Sequence, residues 1–113
     1  MIKTIDVGKE FYHRLANRDY RQGDGKYTAV EFRKKYLADL DKESEWKKND
    51  IFIEFDFSNV KRIGPSFANE AFGYFTQYAR PEVILQRIGF KHISEVQLMI
   101  IKEELNVGYF NKK

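Results

Sequence analysis

Residues 51–57 read Ile51-Phe52-Ile53-Glu54-Phe55-Asp56-Phe57, and five of the seven are Ile or Phe. A nearly continuous apolar run bounded by polar residues is what a strand covered on both sides shows in a parallel or mixed sheet. It is read as the centre of the fold. The two-residue period of a strand puts Glu54 and Asp56 on one face. A carboxylate pair of this kind could serve acid–base or metal chemistry, but no third polar partner is in view. The favoured reading is a strand end where one carboxylate is exposed and the other caps the following loop.

Working outward, the segment before this strand begins a helix. Thr28-Ala29-Val30-Glu31 has capping-box spacing, in which the threonine oxygen and the glutamate each satisfy a backbone donor of the first turn. Phe32, Tyr36, Leu37 and Leu40 then recur at near-helical spacing among charged residues, predicting an amphipathic helix to about Trp46. Further upstream, 2–7 (IKTIDV) reads as a short strand. The stretch between them reads mostly as loop, with a turn at Gly23-Asp24-Gly25, a short helix near Phe11–Leu15 and a short strand near Lys26–Tyr27.

Downstream of the central strand, 62–75 reads RIGPSFANEAFGYF, a turn entering a helix. Phe67, Ala71, Phe75 and Tyr78 fall on one stripe, flanked by Ala68 and Phe72. Pro81 is read as its stop, and 82–88 (EVILQRI) as another strand joined by Gly89-Phe90-Lys91-His92 to the last helix. Ser94 and Gln97 form a second capping box, and Val96, Met99, Ile100 and Leu105 give that helix an apolar side to about Leu105. Asn106 and Gly108 are expected to end it. This order of strands and helices predicts an α/β sandwich in one domain over 1–113, with helical crossovers packed on the sheet.

Composition narrows the chemistry. The 113 residues include no cysteine, which excludes thiol catalysis, cysteine-ligated zinc and disulfides and suits a reducing compartment. No segment approaches the roughly 18 apolar residues of a membrane span, and the start MIKTIDVGKEF lacks a signal-length apolar run, so a cytoplasmic protein is expected. The charge is +3, from 20 Lys and Arg interleaved with 17 Asp and Glu; that interruption argues against nucleic-acid binding despite the basic balance. His13 and His92 lie in different segments without a partner at metal-binding spacing, so no metal or cofactor is expected. The phenylalanines of 52–75 occupy strand or stripe positions and are read as core. Tyr12, Tyr20 and Tyr27 stand apart in the basic early loop, where they could flank a ligand.

The stretch 51–75 resembles the strand–loop–helix core of the STAS domain, the fold of the anti-sigma-factor antagonists. It is closest to STAS-like proteins of uncharacterised function, and the resemblance runs from about Ile2 to Leu105. It implies a STAS-like sandwich with a mixed or mostly parallel sheet. It further implies a non-catalytic regulatory module that docks on a GHKL-type ATPase or sensor kinase. In the anti-sigma-factor antagonists the partner kinase phosphorylates the first serine of an Asp-Ser-Ser-Gly corner. On this chain Gly64 takes the aspartate position, Pro65 the acceptor serine, Ser66 the second serine and Phe67 the glycine, so the usual switch serine is absent.

Ser66 is expected to cap the helix rather than accept phosphate or act as a nucleophile, for want of a base; alternatively Pro65 takes the first helical position. The docking or anion-binding corner is then Arg62, Gly64, Pro65, Ser66, Asn69 and Glu70. The other function considered is a small-ligand, nucleotide or phosphate site. It would use the basic loop 14–27 beside the helix start at 64–67, with Arg18, Tyr20, Arg21, Tyr27 and Arg33 as its residues.

Overall fold

The computed structural model describes residues 2–18 and 27–110. The elements run β1 (Lys3–Asp6), α1 (Val7–Glu10), β2 (Arg14–Leu15), α2 (Ala29–Tyr36), β3 (Ile53–Asp56), β4 (Arg62–Ile63), α3 (Pro65–Ala71), α4 (Pro81–Arg87), β5 (Ile88–Lys91) and α5 (Glu95–Phe110). Strand β3 is the centre of a three-stranded sheet in the order β1-β3-β5, and both pairings are parallel. Parallel neighbours require long crossovers, and α2 supplies the first while α3 and α4 supply the second. A separate two-stranded ribbon pairs β2 with β4, also in parallel. The mixed α/β architecture with parallel sheets agrees with the expected STAS-like sandwich.

One face of the sheet carries the core. Ile5, Ile53, Phe55, Phe57 and Ile88 are buried, and Phe55 meets Phe32 and Tyr36 of α2 and Phe72 beyond α3. These rings meet edge-on or tilted, arrangements that the aromatic quadrupole favours. The opposite face differs from the expectation of cover on both sides. There Glu54 and Asp56 are only half-buried, and Thr4 donates its hydroxyl to Glu54 at 3.0 Å. Strict alternation of Ile or Phe with a carboxylate in 53–56 leaves that face too polar to be sealed.

Several boundaries depart from the sequence reading. Residues 82–87 belong to helix α4 rather than to a strand, and Pro81 opens this helix instead of stopping the previous one. Proline at the first helical position has no amide to leave unsatisfied, and Ile84, Arg87 and Ile88 recur at helical spacing as buried residues. The strand is 88–91, in the place read as a connection. Helix α2, capped as expected by Thr28 Oγ1 accepting from Glu31 N–H at 3.3 Å, ends at Tyr36 and not near Trp46. Two short 3-10 turns follow at 38–40 and 43–47, and they bury Leu40 and Trp46, whose indole N–H reaches the Leu40 carbonyl at 2.8 Å.

At the start of the chain the short helix lies at 7–10, before the expected Phe11–Leu15, and 14–15 is strand. The bridging residue near 26–27 is Thr28, opposite Asn17, while Lys26 lies outside the described residues.

Helix α5 begins as read, with Ser94 Oγ accepting from Gln97 N–H and Gln97 Oε1 accepting from Ser94 N–H, both at 3.1 Å. It runs past Leu105 to Phe110, because Gly108 is a packing residue and not a terminator. A Cβ on Gly108 would lie 2.9 Å from Thr76 Oγ1 and 3.2 Å from the Gly73 carbonyl, so the absent side chain lets α5 press on the 3-10 turn at Gly73–Gln77. Among the described residues, no helix is long and apolar enough to cross a membrane.

Candidate functional site

The β2–β4 ribbon sets the corner that leads into α3. Lys61 N–H donates to the His13 carbonyl at 2.7 Å and Gly64 N–H to the Leu15 carbonyl at 2.8 Å, which clamps 61–64 against 13–15. In this register Arg14 sits beside Arg62 and Leu15 beside Ile63; the leucine and isoleucine are buried while both arginines are exposed on the same face. Gly64 is then the N-cap in extended geometry and Pro65 the first helical residue. Ser66, expected as a possible cap, is one place too late: it lies inside the first turn, and no side chain caps this helix. Helix α3 has only seven residues, so little aligned dipole stands behind the expected anion site.

One turn further on, Asn69 and Glu70 meet two arginines from distant segments. Arg18 donates from Nη1 to Asn69 Oδ1 at 3.1 Å and to Glu70 Oε1 at 3.3 Å. Arg33 donates from Nη2 to Glu70 Oε2 at 2.6 Å and from Nε to the Glu70 carbonyl at 3.2 Å. The Glu70 side chain is 21% exposed and Arg33 only 13%, so this pair is screened far less than a surface pair. Glu70 is therefore committed within the chain, tying α2 and Arg18 of the early loop to α3.

The Arg33 guanidinium also lies 3.7 Å from the centre of the Tyr74 ring, and the Tyr74 and Tyr78 hydroxyls both donate to Asp41. The Asp41 carboxylate holds the Tyr78 phenol as neutral donor, pushing its pKa up to about 12. Asp41, Tyr74 and Tyr78 were not among the residues nominated from sequence. Only the spacing of the two tyrosines, one helical turn apart, hints that they share a partner.

The nominated ligand loop is split. Arg18 and Arg33 are engaged with Glu70, whereas Tyr27 lines a different cleft of about 360 Å³ with Lys9, Glu10, Phe11, Glu31 and Lys35. Tyr12 stacks on Tyr27 with ring centres 4.2 Å apart. Tyr20 and Arg21 lie outside the described residues. Among the described residues no group of three or more His, Asp or Glu side chains gathers to hold a metal ion.

The carboxyl end of the main sheet carries a second polar cluster. Asp56 accepts from Ser58 N–H at 2.9 Å, so it caps the loop as read, and it also meets His92 Nδ1 at 3.2 Å. The Ser58 N–H first, with its hydroxyl and His92 adding to it, brings the Asp56 carboxyl down to about 2 from an ordinary 3.8. A depressed carboxylate pKa stabilises the fold above the unfolded value and loses that contribution as pH falls through the folded value. Urea-unfolding midpoints should accordingly drop as pH goes from about 4 to about 2, and Asp56→Asn should flatten that part of the curve. An unchanged slope in the variant would show that Asp56 is not bonded in this way.

No curated protein and no solved structure matches this chain at a significant level. The sequence model of one family, described as a STAS-like domain of unknown function (DUF4325), matches residues 28–98. That span runs from the Thr28 cap through the central strand, the corner and the Glu70 cluster to the first turn of α5, and on this match the chain belongs to the STAS-like domain family.

Proposed function

We propose that this chain is a non-catalytic regulatory module that docks on a protein partner, a GHKL-type ATPase or sensor kinase, through the corner 61–66 and the adjoining strand β2. The observation that carries this reading is the in-register pair Arg14 and Arg62, exposed on one face beside exposed Lys61 and Pro65. A basic, exposed spot of this kind suits a complementary acidic surface on a partner. Among the described residues this spot holds Arg14, Lys61 and Arg62, fewer cations than tracking a phosphate backbone takes, which favours a protein surface over nucleic acid. The corner is also held by two short backbone hydrogen bonds, so little ordering entropy is lost when it is bound. On the resemblance, Pro65 stands in place of the acceptor serine and removes the hydroxyl that would switch the corner.

The test is isothermal titration calorimetry of the chain against such an ATPase or kinase domain. A complex should form, and Arg62→Glu should weaken it at least about tenfold while leaving the melting temperature nearly unchanged. Glu70→Lys is the wrong probe for the interface, because it breaks the bonds to Arg18 and Arg33 inside the chain. Equal affinity for the Arg62→Glu variant would remove the corner from the interface. Failure of every such partner to bind, with a thermal shift on adding nucleotide or phosphate instead, would favour the ligand-binding alternative.

A further inference from the structure

The Asp56–His92 pair is not used by the docking surface, and its geometry is that of an oriented nucleophile. His92 follows the last residue of β5, at the carboxyl end of the parallel sheet, where open α/β folds commonly place their chemistry. It is the only non-glycine residue with a positive φ, 54°, among the described residues. Histidine adopts this left-handed geometry more readily than most residues, yet it is still an uncommon backbone state that persists only when its surroundings hold it. Here the turn directs the ring back onto Asp56 of the neighbouring central strand, whose partner in the register is Lys91.

Asp56 is ionised and can only accept, so the proton of the neutral imidazole is on Nδ1 and the lone pair is on Nε2. A carboxylate on one ring nitrogen fixes the tautomer and keeps the ring in one orientation. The His92 side chain is 62% exposed. A general base acting on a bound substrate is normally enclosed with it, away from water. An exposed ring with a fixed tautomer instead suits a group that is offered to another molecule's active site.

We propose that His92 Nε2 is a phosphoryl acceptor, held ready by Asp56, for a phosphodonor presented by a nucleotide-dependent phosphotransferase. The Nε2 lone pair attacks phosphorus and forms a P–N bond. The bond from phosphorus to the leaving oxygen breaks, and the nucleoside diphosphate departs with that electron pair. Nδ1 keeps its proton, and the ring becomes cationic opposite the Asp56 carboxylate. This assignment rests on the strand-end geometry alone and stands or falls separately from docking at Arg14 and Arg62.

Potassium phosphoramidate, a small donor that phosphorylates histidine nitrogen and releases ammonia, tests it without a partner. His13 is the internal comparison: it is exposed and lies against Tyr12 with ring centres 4.6 Å apart. Phosphorus NMR and mass spectrometry under non-acidic conditions should find phosphate on Nε2 of His92 about tenfold sooner than on His13. Asp56→Asn should slow His92 by a similar factor and leave His13 as it was. Equal rates at the two histidines, phosphate on Nδ1 of His92, or an unaltered rate in Asp56→Asn would each overturn the proposal. Should Asp56→Asn fail to fold, the comparison of His92 with His13 in the natural chain decides by itself.

Discussion

Gly8→Ala is expected to destabilise the chain by about 3 kcal/mol or more and to lower its melting temperature by at least about 10 °C. A Cβ built on Gly8 would lie 2.0 Å from the Asn59 carbonyl oxygen, 2.3 Å from its carbon and 2.5 Å from the Asn59 Cβ. No rotamer change relieves this, since the nearest atoms are the backbone of the loop between β3 and β4. That loop cannot easily retreat. Asn59 donates its side-chain amide to Asp6 at 2.9 Å, Val60 N–H donates to Phe57, and Lys61 N–H donates to His13. Shifting Asn59 would therefore loosen the clamp that sets the corner at 61–64, and partner affinity should fall together with stability. A thermal melt within about 2 °C of the natural chain would show that α1 and the loop do not pack this closely.

The second large effect is expected at Arg87. Its side chain is 2% exposed, among the most deeply buried in the chain. Nη1 donates to the Asp50 carbonyl at 2.6 Å and to Asp50 Oδ1 at 2.9 Å, and Nη2 donates to Glu45 Oε1 at 2.8 Å. Arg87→Ala leaves Glu45 with Lys48 as its cationic partner, takes the donor from the Asp50 carbonyl and opens a cavity beside Phe52. Truncating a large side chain this deeply buried costs about 2–5 kcal/mol, a large part of the 5–15 kcal/mol typical of a small domain. Urea titration should show a much lower midpoint with an unchanged slope. Arg87→Met with Glu45→Leu removes both charges and should recover most of the loss, because Arg87 Nε already lacks a partner and the pair is an expensive way to fill the space. If the double variant is no better than Arg87→Ala, the volume of the side chain and not its charge holds α4 in place.

Arg87 also shows why part of the fold was hidden in the sequence. The run Val83-Ile84-Leu85 is β-branched and apolar enough to read as a strand, and an arginine three residues after Ile84 looks like a solvent position. Only the distant Glu45 and Asp50 make it an interior one. Elements specified by neighbouring residues were legible: the two capping boxes at Thr28 and Ser94, and the apolar run that becomes β3. Strands β2 and β4, two residues each, are too short for any period, and their pairing is decided by the chain's return and not by local preference.

The site was legible in the same uneven way. Arg18, Arg33, Asn69 and Glu70 were nominated and do come together, but as an internal tie. The nominated Ser66 has no capping role, since Gly64 and Pro65 already make the helix start. The pairing of Asp56 with His92 depends on the register of β3 against β5, which puts Asp56 opposite Lys91 and so beside the next residue. Nothing within ten residues of either side chain announces it.

Every strand pair in the two sheets is parallel, so no hairpin joins any two of them: Lys3 waits for Ile53, Arg14 for Arg62, and Ile53 for Ile88. Loop-closure entropy must be met for each pairing before its contacts can reward it, which sets such a chain among the slower folders of its length. During synthesis β1 has no sheet partner until β3 emerges about fifty residues later, and the other edge of β3 waits for β5. The main sheet can be completed only once residue 91 has left the ribosome, so one edge of its central strand stays unpaired through that interval.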